Sequence, residues 1–350
     1  MVSISLCMIV KDEEAVLERC LRSVVEAVDE IIIADTGSTD RTKEIAAAFT
    51  SKIYDFEWID DFAAARNFAF SKATMDYQFW LDADDVMDRE NLDQLLKLKA
   101  TLSKDTDVVM MEYSMGEKDT SALSFYRERL LRREAGFLWE GAVHEVIAPR
   151  GKILYSPIMI RHKKERIRDP FRNLRIYEKK IADRCKFTPR ERYYYARELV
   201  DHRRWEEAER QLGLALREEL WRVDRINALR LMSLCHRAKG DHQGALQILL
   251  TALSEEAPRG ELCCAIADAF FALQDWENAA FWYELALSRP LPQDGFIEKD
   301  CYGLSPALQL CVCCYKTGQI EKAKEWNERA AQYAPDCPQV AYNRSFFLNQ

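Results

Sequence analysis

The sequence predicts an α/β domain built on a mostly parallel sheet, followed by an all-α domain of helical repeats. Three observations predict it. Short apolar runs at Val2 to Val10, Ile31 to Ala34 and Tyr77 to Leu81 alternate with helical patterns through the first half, the signature of strands joined by crossover helices. Two of these runs end in carboxylates, at Asp35 and at Asp82-Ala83-Asp84-Asp85, and strand ends are where open α/β sheets bind ligands. From about residue 188 the pattern turns to helices only, with similar turn-plus-helix starts recurring along the chain.

Val2 to Val10 reads as the first strand. Lys11-Asp12-Glu13-Glu14 is a polar loop into a helix where Leu17, Leu21, Val24 and Val25 recur at helical spacing. Glu30 to Asp35 is the second strand, and Thr36-Gly37-Ser38-Thr39-Asp40 follows it. Gly37 permits a tight turn, and Ser38 or Thr39 can cap a helix over Arg41 to Phe49. Lys52 to Phe56 gives a third short strand, and Phe62 to Ala73 a helix carrying Arg66 and Asn67. The run from Tyr77 to Leu81 then delivers three acids within four residues. Such carboxylates repel one another unless neutralised, and a hard divalent ion, Mg²⁺ or Mn²⁺, carrying a substrate diphosphate is a natural partner. The same stretch also reads as an acidic helix start, with Asp84 or Asp85 as N-cap. No Gly-x-Gly-x-x-Gly or Walker sequence is present.

The chain has 350 residues, enough for two domains, and 48% of them are hydrophobic, enough for a sizeable core. A net charge of -8 argues against general nucleic-acid binding. Eleven cysteines are scattered, many on apolar helical faces, and no C-x-x-C pair has a matching histidine pair. They read as buried thiols in a reducing compartment. Residues 1–10 are too short for a membrane span and lack a basic flank, so a cytoplasmic protein is expected.

Four motifs in fixed order carry a resemblance. These are Ser5-Leu6-Cys7-Met8-Ile9-Val10-Lys11-Asp12-Glu13-Glu14, Asp35-Thr36-Gly37-Ser38-Thr39-Asp40, Ala65-Arg66-Asn67 and Leu81-Asp82-Ala83-Asp84-Asp85. Together they resemble family 2 glycosyltransferases of the GT-A fold, over about residues 1–165. The resemblance implies an inverting transferase that uses a nucleotide-activated sugar, UDP-hexose being favoured, and a divalent metal. It implies that the loop after the first strand (Val10, Lys11, Glu13) and Asp35 hold the base and ribose. It brings Arg66 to the nucleotide, and puts Asp82 and Ala83 at the ribose and Asp84 at the metal. One position departs from the pattern: many members carry a second acid where this chain has Thr36.

Phe137-Leu138-Trp139-Glu140-Gly141-Ala142-Val143-His144-Glu145 suggests a tight loop, with glycine between aromatic and ionisable residues. The resembled family places its acceptor base in such a segment. An inverting transfer needs one carboxylate to deprotonate the acceptor; Glu145 is the candidate, with His144 and Glu140 as alternatives. Trp139 is expected either as an apolar wall for the sugar or as core. His162 follows the apolar run Ile158 to Ile160, and resembling enzymes take a metal ligand from such a position. Neutral imidazole suits Mn²⁺ better than Mg²⁺. Arg161, Lys163 and Lys164 beside it can instead neutralise diphosphate.

Trp205-Glu206-Glu207-Ala208, Asp241 to Ala245, Trp276 to Ala279 and Ile320 to Ala323 mark the repeat starts. Their alanines lie 37, 34 and 44 residues apart, similar to tetratricopeptide repeats with a period of about 34. The longest interval holds Pro290, Pro292, Gly295 and Pro306, a loop insertion. The expected layout is a GT-A domain over 1–165, a linker or lid over 166–187 and repeats over 188–350. The repeats suit a peptide or protein acceptor presenting Ser, Thr or Cys, or a homodimer contact. A lipopolysaccharide-core or other glycan glucosyltransferase, and a non-catalytic repeat scaffold that senses nucleotide, are the competing readings.

Overall fold

Strand β1 (Ile4–Val10) is buried at every residue but Ile9, and β2 (Glu30–Asp35) at every residue, so both faces of the sheet are covered. The computed structural model describes residues 1–115, 123–163, 169–292 and 297–348. Residues up to Arg184 form one compact unit and those from Cys185 a second.

The strands are parallel through β3 (Ile53–Asp55), β2, β1 and β4 (Tyr77–Trp80). Side chains alternate between two cores, as a period of two dictates. Ile4, Leu6, Met8, Ile31, Ile33, Tyr77 and Phe79 share one core with Leu17, Cys20, Leu21 and Val24 of α1 (Leu17–Val24). Cys7, Ile32, Ala34 and Trp80 face the other, with Ala63, Ala69 and Phe70 of α3 (Phe62–Ser71). The α2 helix (Thr42–Ala47) is capped by neither Ser38 nor Thr39; Asp40 accepts from the Thr42 amide at 3.0 Å instead.

Beyond β4 the sheet becomes mixed. Its order is β3-β2-β1-β4-β7-β6-β8-β5, with β5 (Asp85–Val86), β6 (Val108–Met115), β7 (Leu123–Arg132) and β8 (Ile153–His162). Strand β7 is antiparallel to β4, β6 is parallel to β8, and β5 is antiparallel to β8. The helix after the acids is α4 (Arg89–Thr101), and Asp88, not Asp84 or Asp85, caps it by accepting from the Asn91 amide at 3.0 Å. That frees the two earlier acids from a capping role.

The stretch expected as linker or lid contains α5 (Arg172–Ala182). Its charged sequence hides an apolar stripe, Leu174, Ile176 and Tyr177, all buried, and Tyr177 donates to the Val143 carbonyl at 3.3 Å. This helix belongs to the first unit, so the expected boundary moves to about Arg184. Arg166 to Arg168, part of the same expectation, and Lys164, expected as a residue that can neutralise diphosphate, lie outside the described residues.

The second unit is a run of antiparallel helix pairs. These are α6 (Pro189–Asp201) with α7 (Trp205–Ala215), α8 (Arg222–Ala238) with α9 (His242–Thr251), α10 (Gly260–Ala272) with α11 (Trp276–Ser288), and α12 (Leu304–Lys316) with α13 (Ile320–Tyr333), followed by α14 (Pro338–Leu348). Each of the four recurrent starts opens the second helix of a pair. Ala208, Ala245, Ala279 and Ala323 are fully buried, where a small side chain lets the paired helices approach. Thr188 and Glu191 form a capping box at α6 with Pro189 in its first turn. Pro306 lies inside α12, not in the inserted loop, and Gly295 lies outside the described residues. Among the described residues no helix is long and apolar enough to cross a membrane.

Candidate active site

The parallel strands β1, β2 and β4 end at one edge of the sheet, and a cavity of about 1320 Å³ opens there. Val10, Lys11, Glu13, Arg66, Asp82, Ala83, Asp84, His144, Glu145 and His162, all expected at the site, line it. The loop after β1 is stitched to the loop after β2. Asp12 donates its amide to Ser38 Oγ at 2.9 Å and accepts from the Thr39 amide at 2.7 Å, and the Glu13 amide donates to Thr42 Oγ1 at 2.7 Å.

Three expected residues lie elsewhere. Asp35 is 1% exposed, and its Oδ1 accepts from the Gly37 and Ser38 amides at 2.9 Å each. Its carboxylate therefore closes the turn, and the next residue, Thr36, lines the cavity instead. Trp139 is buried in the core, edge-on to Trp80 with ring centroids 4.8 Å apart, so it is not a wall for the sugar. Glu140 is exposed and pairs through its backbone with Val146, which turns its side chain out of the cavity lining.

That Glu140–Val146 bridge closes a tight loop with Gly141 at φ 97° and His144 at φ 54°. Asn67 of α3 fastens the loop at its base, donating to the Trp139 carbonyl at 3.0 Å and accepting from its amide at 2.9 Å. The loop thereby brings Glu145 to Arg66. Arg66 Nε donates to Glu145 Oε1 at 2.7 Å, and its Nη2 donates to Asp82 Oδ1 at 2.7 Å. The guanidinium lies over the rings of Trp80, at 5.1 Å, and Trp139, at 4.7 Å. Its buried Nη1 has no partner among the described residues, a donor suited to an anionic ligand. Burial alone would raise the Asp82 carboxyl, but the guanidiniums of Arg66 and Arg129 overcome this and hold it well below the usual carboxylate range.

On the other side of the acids, ligand atoms of Asp84, Asp85 and His162 lie within 4.8 Å of one another. His162 Nδ1 is 3.3 Å from Asp84 Oδ1 and from Asp85 Oδ1. Burial pulls the imidazole pKa down, yet the two carboxylates outweigh it and raise it to about 10. Hard carboxylate oxygen beside imidazole nitrogen fits Mn²⁺ or Mg²⁺. Asp85 itself is fully buried, so Asp84 and His162 are the residues that can hold an ion facing the cavity.

Several lining groups had no clear sequence signal. Arg127, which lines the cavity, and Arg129, fully buried and outside the lining, alternate along β7, and both lie over the Trp80 ring, at 4.7 and 3.7 Å. Arginines inside a strand between Phe125 and Leu130 are a sign of buried charge with partners close by. Trp58, Asp60 and Phe62 form another part of the lining with α5. Asp60 accepts from Trp58 Nε1 at 2.9 Å and pairs with Lys179, and Arg172 lies 4.6 Å over Phe62. Asp12, Asp60 and His144 all have φ between 52° and 60° and all line this cavity. Such conformations cost roughly 1–3 kcal/mol each outside glycine and concentrate where a site imposes them.

Residues 5–182 match the family model described as Glycosyl transferase family 2. A TPR repeat-containing protein of Synechococcus elongatus is 40% identical over 154 residues, 42% of this chain and 36% of its own length. The SPbeta prophage-derived glycosyltransferase SunS of Bacillus subtilis is 32% identical over 140 residues, 39% of this chain and 33% of its own. The chain thus spans about a third of the length of these curated relatives. Among solved structures, glucosyl-3-phosphoglycerate synthase from Mycobacterium tuberculosis, in complex with Mn²⁺ and UDP-glucose, is 22% identical with a TM-score of 0.28, over 32% of this chain and 44% of that one. That likeness is too weak to carry an argument. The family match rests on residues 5–182 of 350, the stretch that builds the whole cavity, and the chain belongs to glycosyltransferase family 2.

Proposed function

We propose that the first unit transfers a hexose from a UDP-hexose donor to an acceptor with inversion at the anomeric carbon. The observation that carries this reading is the position of Arg66, which joins Glu145 to Asp82 within one cavity where Asp84 faces His162. Glu145 takes the proton of the acceptor hydroxyl or thiol as that atom attacks the anomeric carbon. The bond from that carbon to the diphosphate oxygen breaks, and the electron pair leaves with UDP. Arg66 holds Glu145 in place through Nε and offers Nη1 to the diphosphate, a preorganised cation where charge develops. Asp84 and His162 would hold a divalent ion, which would supply further stabilisation of that leaving charge. Val10, Lys11 and Glu13 after β1 and Thr36 after β2 line the cavity, which supports a nucleoside site there, and Ala83, without a bulky side chain, leaves room beside it.

The favoured acceptor is a peptide or protein side chain, Ser, Thr or Cys, because stacked helix pairs such as those of the second unit commonly present peptide-binding or subunit-pairing surfaces. One observation favours a glycan acceptor instead. Trp58, half-buried in the cavity lining and edge-on to Phe62 at 4.7 Å, offers an aromatic face of the kind sugars stack on. The eleven cysteines, all unpaired and mostly buried, support a reducing, cytoplasmic setting.

The test needs no acceptor. The full chain is incubated with a panel of nucleotide sugars and Mn²⁺ or Mg²⁺, and nucleotide release by hydrolysis is measured. Release from one UDP-hexose, lost in Glu145→Gln or on metal chelation, is expected. Nucleotide binding with no release from any donor points to a non-catalytic sensor.

A further inference from the structure

We propose that Tyr113, with Asp85 and Arg129 behind it, is the positioning apparatus that fixes His162 as a metal ligand through Nε2 and excludes Asp85 from the metal. The inference rests on the metal reading above and extends it to residues outside the ligand set.

The argument is one of hydrogen-bond accounting. His162 Nδ1 lies 2.9 Å from Tyr113 Oη and 3.3 Å from both Asp84 Oδ1 and Asp85 Oδ1. Ionised carboxylates only accept. The tyrosine has a single proton, and its oxygen lies 2.8 Å from Asp85 Oδ1. If that proton pointed to the imidazole, two oxygens would face each other at 2.8 Å with no hydrogen between them. It therefore goes to Asp85. Nδ1 is then ringed by acceptors and carries a hydrogen in either protonation state, so Nε2 is the nitrogen that would give up its proton and offer its lone pair to a metal. Fixing one imidazole nitrogen by a hydrogen bond decides which nitrogen meets the metal.

Asp85 is occupied on both oxygens. Oδ1 accepts from Tyr113, and Oδ2 accepts from Arg129 Nη1 at 3.2 Å and from the Asp82 amide at 3.0 Å. The two-residue strand β5 pairs Asp85 with His162 across the sheet edge, which sets this spacing through the backbone. The third acid of the motif is thus an anchor, and Asp84 offers the carboxylate that lies beside the imidazole and lines the cavity. Arg129 strengthens the case. It is fully buried, stacked 3.7 Å from the Trp80 ring and 4.4 Å from the Tyr113 ring, and its Nε and Nη2 have no partner among the described residues. A guanidinium held this way lowers stability relative to an apolar side chain of similar size. What it holds here is a carboxylate and a tyrosine ring beside His162.

The probe is Mn²⁺ itself, titrated into the full chain in the presence of UDP and followed by electron paramagnetic resonance. Tyr113→Phe keeps the ring under Arg129 and deletes only the hydroxyl. It is expected to weaken Mn²⁺ binding by about 10- to 100-fold, the usual effect of removing a hydrogen-bond partner of a ligating histidine. UDP affinity in chelator stays unchanged, while the melting temperature falls modestly because the buried Asp85 Oδ1 loses its donor. Nitrogen-15 spectra of the five histidines, recorded with Mg²⁺ and UDP, supply a readout that a purely structural role would not move. His162 should show a protonated Nδ1 in the wild type, with faster proton exchange in Tyr113→Phe. Unchanged Mn²⁺ affinity in Tyr113→Phe, or a His162 whose Nδ1 is the unprotonated nitrogen, overturns the inference. Failure of the metal reading is distinguishable: the wild type would then bind no Mn²⁺, or bind it equally well in Asp84→Ala.

Discussion

Arg66 bonds two carboxylates from different elements, Glu145 and Asp82, each at 2.7 Å, through separate nitrogens of one planar group. Only a guanidinium presents donors in that fixed fork. Three of the acids at the cavity divide accordingly: Glu145, the proposed base, and Asp82 are held by Arg66, while Asp84 faces His162. Two predictions belong to this scale. Glu145→Gln keeps UDP affinity in calorimetry but lowers transfer or donor hydrolysis by about 10²-fold or more, the scale of a lost general base. Turnover near the wild-type rate would move the role to His144, the other expected candidate that lines the cavity. Asp84→Ala abolishes the gain in UDP affinity that Mn²⁺ confers. Equal affinity in mutant and wild type, both with Mn²⁺, would remove Asp84 from the ligand set.

At the scale of elements, strands deliver the site and a polar network at their opposite ends holds them in register. Glu30, at the start of β2, is 6% exposed and joins three neighbours. It accepts from Ser5 of β1, pairs with Lys52 before β3, and accepts from the Thr74 amide at 2.9 Å and hydroxyl at 2.8 Å before β4. Burial would raise its carboxyl pKa, but Lys52, Ser5 and Thr74 together lower it from 4.5 to about 2. A folded-state value below the unfolded one adds stability that is fully present above pH 4.5 and is lost as pH falls toward 2. The shift corresponds to roughly 3 kcal/mol. Glu30→Gln should therefore lower the unfolding temperature at pH 7, with the gap to wild type closing near pH 2.5. A gap that stays constant across that range would show that the charge of Glu30 is not what holds the strand starts together.

For the whole molecule, the division falls after α5. Leu174, Ile176 and Tyr177 are buried within the first unit, and Arg172 and Lys179 tie the helix to Phe62 and Asp60. A fragment of residues 1–184 is expected to fold, as judged by circular dichroism, and to bind UDP with Mn²⁺ as the full chain does. A fragment ending at Arg168 lacks α5, exposes the apolar surface it covers, and should aggregate or bind UDP more weakly. Equal binding by both fragments would show that α5 is dispensable to the cavity. If the folded 1–184 fragment also transfers sugar to the acceptor as well as the full chain, the helical repeats are not the acceptor platform.

The sequence by itself determined the strand ends that carry chemistry and the helix starts that repeat. Both are local signals: an apolar run that stops at an acid marks a strand terminus, and a buried alanine after a turn marks a close helix crossing. Asp82, Asp84 and the four repeat starts were legible for that reason, whereas Arg66, inside a helix, was marked by the resemblance of its motif. Tertiary structure decided what local pattern leaves open. Whether Asp35 or Thr36 meets the cavity depends on the turn closed by the Gly37 and Ser38 amides. Glu140 and Glu145 carry the same functional group, and only the bridge between Glu140 and Val146 sends one outward while the other reaches Arg66. Trp139 in core or in wall gives the same string of letters. Helix α5 hid among charges because three buried residues suffice to dock it. The Tyr113–Asp85–Arg129 group joins residues up to 44 apart in sequence, and the pairing of β8 with β5 and β6, and of β4 with β7, brings them together around His162.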